Sequence, residues 1–163
     1  MPASPLVVAA LLALQSFVVL FIALHDWVPL GTLNDVAAVQ AADPTIKLVN
    51  VTVLSTLPFA IGFVASAWFA GTEFPSWLMW WLWVSYGAAV YGMLRAWWVP
   101  YLLVTDPARA TRYQAMFSRT HAFLPARNGI RPDTLHVTLH AVIVAIVILL
   151  AVMSFSPRLA VGL

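Results

Sequence analysis

The chain has 163 residues, of which 63% are hydrophobic and only 9% are charged, whereas a soluble domain typically carries about 25% charged residues. Eight basic and six acidic side chains cannot cover a water-facing surface of this size, so the composition predicts an integral membrane protein. The net charge of +2 argues against nucleic acid as a partner, and the absence of cysteine excludes disulfides, thiolate nucleophiles and iron–sulfur clusters.

Four apolar stretches, each near the ~20 residues that cross a bilayer, predict four transmembrane helices. They are expected at about residues 5–25, 44–70, 76–104 and 133–156. The predicted fold class is therefore an all-α integral membrane protein. Its architecture would be a four-transmembrane-helix bundle that forms one transmembrane domain over residues 1–163, with an interfacial amphipathic helix between the third and fourth helices.

The first predicted helix has only Gln15 and Ser16 as polar interruptions. It has the apolar character of a signal peptide, but no Lys or Arg precedes it. The segment His25-Asp26-Trp27 that follows is not a small-residue cleavage site. We therefore expect a retained helix.

The second predicted helix begins at Asp43-Pro44, which reads as an N-cap followed by proline in the first turn. Gly62, Ser66 and Ala70 recur every four residues and form a stripe of small side chains that lets another helix approach closely. A second copy of the chain could use this stripe, so a homo-oligomer is one expected assembly.

The third predicted helix is rich in aromatic residues at both ends, as expected for side chains at the two membrane–water interfaces. Residues 71–75 connect it to the second helix by a short turn, so the two helices should be antiparallel neighbours. The aromatic residues at its two ends are Trp77, Trp80, Trp81, Trp83, Trp97, Trp98 and Tyr101.

The long connection before the fourth helix is basic and contains an amphipathic segment. Asp106-Pro107 predicts the start of a helix that carries Tyr113 and Phe117 on its apolar side. Such a helix is expected to lie in the membrane interface, where its arginines would bind anionic lipid headgroups. The arginines of this connection are Arg109, Arg112, Arg119, Arg127 and Arg131.

The second half of this connection has residues with defined turn roles. Asn128-Gly129 predicts a tight turn. Because this is not a flexible Gly/Ser linker, we expect an ordered loop that could cover a site.

The arginine distribution predicts the orientation in the membrane. The positive-inside rule places residues 26–43 and 105–132 in the cytoplasm, and Arg158 is the only basic residue on the opposite side. The expected location is the cell membrane, with several crossings and both termini non-cytoplasmic.

The four histidines are predicted to lie at the same membrane level, on the cytoplasmic side. His136 and His140 are one helical turn apart and share a face, while His25 ends the first helix and His121 lies in the long connection. These four would be the catalytic acid–base groups. A divalent metal ion held by His136, His140, His121 and Asp133 is the other version of the site. The alternative is that imidazole, like Trp and Tyr, simply suits a bilayer interface.

A second set of residues is predicted to bind substrate. Arg95 lies near the cytoplasmic edge of the third helix and could hold an anionic group, or could simply extend to the interface. Tyr91 and Trp98 share its face, and Asn50 lies at the same depth in the second helix.

The sequence leaves three functional classes open. The first is a small membrane enzyme that acts on a lipophilic substrate at the cytoplasmic leaflet through the histidines. The second is a small transporter with a cavity open to the cytoplasm, although paired interrupted helices in two related halves are absent. The third is a non-catalytic subunit of a membrane complex. Neither the substrate nor a cofactor is specified by the sequence.

Overall fold

The computed structural model describes the backbone of residues 4–159 and the side chains of residues 4–155. Within that range the regular elements are helical, and no strand is formed. The helices are α1 (Pro5–Leu24), α2 (Val36–Ala42), α3 (Thr45–Trp68), α4 (Ser76–Met93), α5 (Val99–Leu102), α6 (Pro107–Phe117) and α7 (Thr134–Leu159), with a 3-10 turn at Gly31–Leu33 and a π-helical segment at Leu94–Trp98 that joins α4 to α5.

Three of these helices are long and apolar enough to cross a membrane, namely α1, α3 and the Thr134–Phe155 part of α7. They confirm the all-helical class and indicate a membrane protein. The fourth predicted crossing, at residues 76–104, is divided into α4, the π segment and α5. A fourth crossing, the interfacial position of α6 and the orientation remain predictions, and the side chain of Arg158 lies outside the described residues.

The long helices pack as a bundle in which α1 and α4 both contact α3 and α7. Helix α4 runs antiparallel along α7. Near one end the Trp83 indole donates to the Ser154 hydroxyl (3.1 Å), and near the other the rings of Trp97 and His136 are 4.5 Å apart. The apolar core between the helices contains Leu11, Val18, Phe59, Leu78, Leu82, Tyr86, Ile143, Ile146 and Leu150.

The predicted stripe of small residues on α3 is used within the chain. A Cβ added at Gly62 would lie 3.0 Å from Leu82 Cδ2 of α4. Ser66 is fully buried and accepts a hydrogen bond from Gln15 Nε2 of α1 (3.2 Å). Helices α1 and α4 of the same chain already pack against these two positions, so the stripe does not support a homo-oligomer. The homo-oligomer itself remains a prediction.

The predicted caps have different outcomes at the two Asp-Pro sequences. Asp106 does cap α6, because its carboxylate accepts from the Arg109 backbone N–H (3.0 Å). The N-cap predicted at Asp43 is wrong, because α3 begins at Thr45 with no side-chain cap. The Asp43 carboxylate is instead drawn to two cations, Lys47 (2.6 Å) and Arg112, and hydrogen bonds from both lower the pKa of Asp43.

The two long connections of the chain are joined to each other at one end of the bundle. Arg112 of α6 pairs with Asp43, and Arg119 Nε lies 2.7 Å from Asp35 Oδ2 at the start of α2. The His121 backbone N–H also donates to the Thr32 carbonyl (2.7 Å). The connection before α3 and the connection before α7 therefore form one layer.

The π segment follows from Pro100, which has no backbone N–H to offer to the preceding turn. In the π register the Val99 N–H bonds to the Leu94 carbonyl, one residue further back than in an α-helix. In the π register the Arg95 carbonyl would accept from the N–H of residue 100. In the α register the Ala96 carbonyl would accept from the N–H of the same residue. Proline has no N–H to donate, so each of these carbonyls loses one possible helical donor.

Helix α6 supplies the missing donors. Arg109 Nη1 donates to the carbonyls of Arg95 (2.6 Å) and Ala96 (3.0 Å), and the Tyr113 hydroxyl also donates to the Ala96 carbonyl (3.1 Å). Burial raises the pKa of Tyr113, so its hydroxyl stays protonated and remains a donor. Side chains of α6 thus replace the backbone bonds that Pro100 removes, which fixes α6 against the π segment.

An Arg109→Met variant tests this replacement. It keeps an apolar stem but removes the side-chain donor of the Arg95 carbonyl and leaves the Ala96 carbonyl with only the Tyr113 hydroxyl, so the free energy of unfolding should fall by about 2 kcal/mol. Thermal or denaturant unfolding in detergent micelles measures the change. Arg127→Met is the control, because the Arg127 guanidinium only lies over the Tyr101 ring (5.9 Å), and its loss should stay below about 1 kcal/mol. Equal losses in the two variants would contradict the role given to Arg109.

Candidate functional site

Aromatic and imidazole rings from four parts of the chain meet at the end of the bundle where α7 begins. The His136 ring lies 4.5 Å from Trp97, 5.2 Å from Phe117 and 5.8 Å from His25, measured between centroids. His140, one turn along α7, is 6.4 Å from His136. We call the following six side chains the ring cluster: Phe21, His25, Trp97, Phe117, His136 and His140.

Within the ring cluster, His136 is oriented by a buried carboxylate. Asp133 Oδ2 lies 2.7 Å from His136 Nδ1, and its other oxygen accepts from the His136 backbone N–H (2.8 Å) and so caps α7. The Asp133 side chain is only 2% exposed and that of His136 is 16% exposed. Because an ionised carboxylate only accepts hydrogen bonds, the neutral imidazole carries its proton on Nδ1. Its Nε2 lone pair is then the basic atom.

His25, just beyond the end of α1, has a carboxylate of its own. Its Nδ1 donates to the Phe21 carbonyl (2.9 Å), and its Nε2 lies 3.2 Å from Asp26 Oδ1. Burial lowers the pKa of His25, and the negative charge of Asp26 opposes this effect in part. The site thus holds two imidazoles in edge-to-face contact, each paired with an aspartate.

Of the three histidines in the ring cluster, His140 has the least polar surroundings. It is buried, its ring packs against Trp97 and Trp98, and its Nδ1 has no hydrogen-bond partner among the described residues. An unpaired buried ring nitrogen is costly unless something else satisfies it. It is therefore a further position where a ligand atom or water could bind.

His121 is placed apart from the other histidines. Its side chain is exposed, and its Nδ1 lies 2.7 Å from the Thr134 hydroxyl. Its backbone carbonyl accepts from the Thr134 N–H (2.9 Å), and no ring contact joins it to the ring cluster within the described part of the chain. The structure therefore gives His121 the role of connecting the long loop to the start of α7.

The predicted metal ligands are not assembled into one coordination sphere. Among residues 4–155, no three side chains of His, Asp or Glu lie together in a way that could hold a metal ion. His136 and Asp133 are already bonded to each other, and His121 lies outside the ring cluster. Metal binding by these residues therefore stays a prediction.

The predicted substrate-binding residues fall in three different places. Arg95 and Tyr91 line an open cleft of about 610 Å³ between the end of α4 and α6. Trp98 is half-buried and packs against His140 (5.9 Å). Asn50 is exposed on α3 and is not part of the cleft lining.

The buried pair Gln15 and Tyr86 was not among the predicted site residues. Gln15 and Tyr86 are fully buried in the bundle, and the Gln15 side chain lies close enough to the Tyr86 hydroxyl to interact with it. The signal in the sequence was Gln15, which is one of only two polar interruptions of the first helix. Which helices it faces could not be derived from the sequence.

No known protein family, characterised protein or solved structure is detectably similar to the chain.

Proposed function

We propose that the chain is a small membrane enzyme that performs acid–base catalysis on a lipophilic substrate at the ring cluster. The observation that carries the proposal is the buried Asp133 hydrogen-bonded to His136 Nδ1 (2.7 Å), with a second imidazole, His25, against the same ring. A buried carboxylate that fixes the tautomer of a histidine is the arrangement that prepares a general base.

In this mechanism His136 Nε2 accepts a proton from the substrate or from a water molecule. The Asp133 carboxylate stabilises the imidazolium that forms, because it is already hydrogen-bonded to the protonated Nδ1. His25, when protonated beside Asp26, is the group placed to return a proton to the product. Positioned acid–base groups of this kind typically accelerate a reaction by about 10²–10⁴-fold.

The lipophilic character of the substrate is inferred from the surroundings of the two imidazoles. Phe21, Trp97 and Phe117 form the walls of the ring cluster. The cluster also lies at the ends of two candidate spans, α1 and α7. An apolar group that enters from the bilayer would therefore meet aromatic walls before it meets the polar atoms.

The proposal includes four crossings with the ring cluster on the cytoplasmic side. Helix α4 follows α7 from Ser154 to His136, so a membrane crossed by α7 would also be crossed by α4 and the π segment. Lys47 and the arginines of α6 lie at the ring-cluster end, and the positive-inside rule assigns that end to the cytoplasm. Both termini would then be non-cytoplasmic, and the basic α6 would lie in the interface.

A lipid-turnover experiment tests the catalytic proposal. Purified protein is reconstituted in vesicles made from a total membrane lipid extract, and the lipids are followed over time by mass spectrometry. The wild type should consume at least one species and form another, and His136→Gln should slow this turnover by about 100-fold or more. Thr138→Ala is the control, because Thr138 is exposed on the same helix and its hydroxyl bonds only to the Thr134 carbonyl.

The variants must first be shown to be folded, by size-exclusion chromatography and helix content. If folded His136→Gln turns over the same species at the wild-type rate, His136 is not the catalytic base. If the folded wild type changes no species in the extract, a membrane-lipid substrate is excluded.

A further inference from the structure

The geometry points to a binding site for a phosphate group in the cleft between the end of α4 and α6, separate from the catalytic chemistry proposed above. The cleft has a volume of about 610 Å³ and is open to the outside. We call it the arginine cleft, and the residues that matter for binding are Tyr91, Gly92, Arg95, Asp106, Arg109 and Arg112.

The arginine cleft has an excess of positive charge. Three guanidinium groups line it, against one carboxylate, that of Asp106. Two of the arginines are partly engaged in structural bonds. Arg109 uses Nη1 for the carbonyls of the π segment and Nε for Asp106 (3.3 Å), and Arg112 uses Nη2 for Asp43.

Arg95 is different from the other two arginines. Its side chain is exposed, and no ion pair or side-chain hydrogen bond holds it within residues 4–155. The Tyr91 hydroxyl, one turn earlier on the same wall, also has no hydrogen-bond partner within that range. The cleft therefore presents a complete guanidinium fork and a hydroxyl donor, together with nitrogens of Arg109 and Arg112 that their structural bonds leave unused.

This donor set fits a phosphate monoester or diester. Guanidinium forks match the oxygens of a phosphate in pairs, and the negative charge of the phosphate is opposite in sign to the excess charge of the cleft. The source of the phosphate is either the headgroup of an anionic lipid or a water-soluble phosphate ester.

The arginine cleft lies next to the ring cluster, and aromatic side chains separate the two. Tyr113 lines the cleft, and its ring packs 4.5 Å from Trp97, which in turn lies 4.5 Å from His136. A ligand in the cleft is therefore separated from the imidazoles by aromatic rings. Binding in the cleft does not require that the ring cluster be catalytic, so the two proposals can fail independently.

The test is a binding measurement on the full chain in detergent micelles, with dioleoyl phosphatidic acid as one probe and glycerol 3-phosphate as the other. Arg95→Gln should weaken binding about tenfold, because it removes the one unengaged guanidinium. Gly92→Leu should weaken binding at least as much without changing the charge. A Cβ at Gly92 meets nothing within 4 Å, so the larger side chain can enter the cleft without disturbing the helix.

Arg127→Gln is the control for charge, because it removes one arginine from the connection before α7, outside the cleft lining, and it should change binding less than twofold. Binding of phosphatidic acid alone would identify a lipid headgroup as the ligand, and binding of both probes would identify a soluble phosphate ester as well. The proposal would be overturned if the wild type bound neither probe more tightly than dioleoylglycerol, which has no phosphate. It would also be overturned if Arg127→Gln weakened binding as much as Arg95→Gln, or if Gly92→Leu left binding unchanged.

Discussion

Asp133→Ala is expected to lower the free energy of unfolding by about 3 kcal/mol. The substitution removes the N-cap of α7, which is typically worth about 1 kcal/mol, and leaves His136 Nδ1 without its acceptor in a mostly buried position, which costs about 1–3 kcal/mol. Denaturant titration in mixed micelles, followed by far-UV circular dichroism, measures the loss. Any catalytic turnover should be lost as well, since the tautomer of His136 is no longer fixed.

Two matched variants separate the contributions. Asp133→Asn keeps a side-chain oxygen that can cap α7 but removes the negative charge, so its loss of stability should be smaller while the catalytic effect remains. Asp35→Ala removes a comparable cap at the start of α2, where the carboxylate accepts from the Ala38 N–H (3.0 Å), together with an ion pair to Arg119 instead of a bond to a histidine. Such a surface ion pair is worth about 0–1 kcal/mol. An Asp133→Ala loss no larger than the Asp35→Ala loss would show that the bond to His136 adds no more than this ion pair does.

Gly129→Ala should be destabilising by about 3 kcal/mol. Gly129 has φ +76°, a left-handed conformation that costs an L-residue about 1–2 kcal/mol. In addition, an added Cβ would lie only 2.8 Å from the Cβ of Ala110 on α6, so the turn would have to move away from that helix at a cost of about 1–3 kcal/mol. Thermal unfolding in detergent is the measurement.

Substitutions at two other glycines separate the contribution of backbone strain from that of the steric clash with Ala110. Gly31 also has a positive φ (+65°) but nothing within 4 Å of an added Cβ, so Gly31→Ala should cost about 1–2 kcal/mol from strain alone. Gly87 lies in α4 with open space around it, and Gly87→Ala should stabilise the helix by about 0.5–1 kcal/mol. If Gly129→Ala and Gly31→Ala cost the same, α6 does not lie against the turn as described.

Some local structure was predictable because it depends on residues close together in sequence. The turn at Asn128-Gly129 is present, with both residues at positive φ (51° and 76°) and with Arg127 and Ile130 bridged across it. The start of α6 at Asp106-Pro107 was predicted for the same reason. Apolar stretches near the length of a bilayer crossing gave three helices whose boundaries differ from expectation by only a few residues.

Other features depend on contacts between distant residues and could not be derived from the pattern. Pro100 indicates a disturbed helix, but the π segment is stable because Arg109 and Tyr113 of another helix supply the missing donors. Asp43 precedes a proline just as Asp106 does, yet it binds Lys47 and Arg112 instead of capping. Local sequence could not show that a guanidinium 69 residues away would compete for its carboxylate.

The candidate site also combines features set by nearby residues with features set by distant contacts. Counting residues along a helix predicts which end of the bundle a side chain is near, and His25, His136 and His140 do lie at one end. Which side chains are lateral neighbours depends on helix packing, and this brings His25, but not His121, to His136. The bond between Asp133 and His136 was within reach of the sequence, since residues three apart share a helix face.

The ion pairs that join the two long connections have a consequence for how a substrate could reach His136. Asp43 with Arg112 and Asp35 with Arg119 join one connection to the other, so while these ion pairs hold, an opening toward the aqueous side would have to move both connections together. Ion pairs at a surface are weak and are screened by salt. A higher ionic strength would therefore weaken the link between the two connections and ease entry from the aqueous side. Entry from the bilayer would not respond to ionic strength.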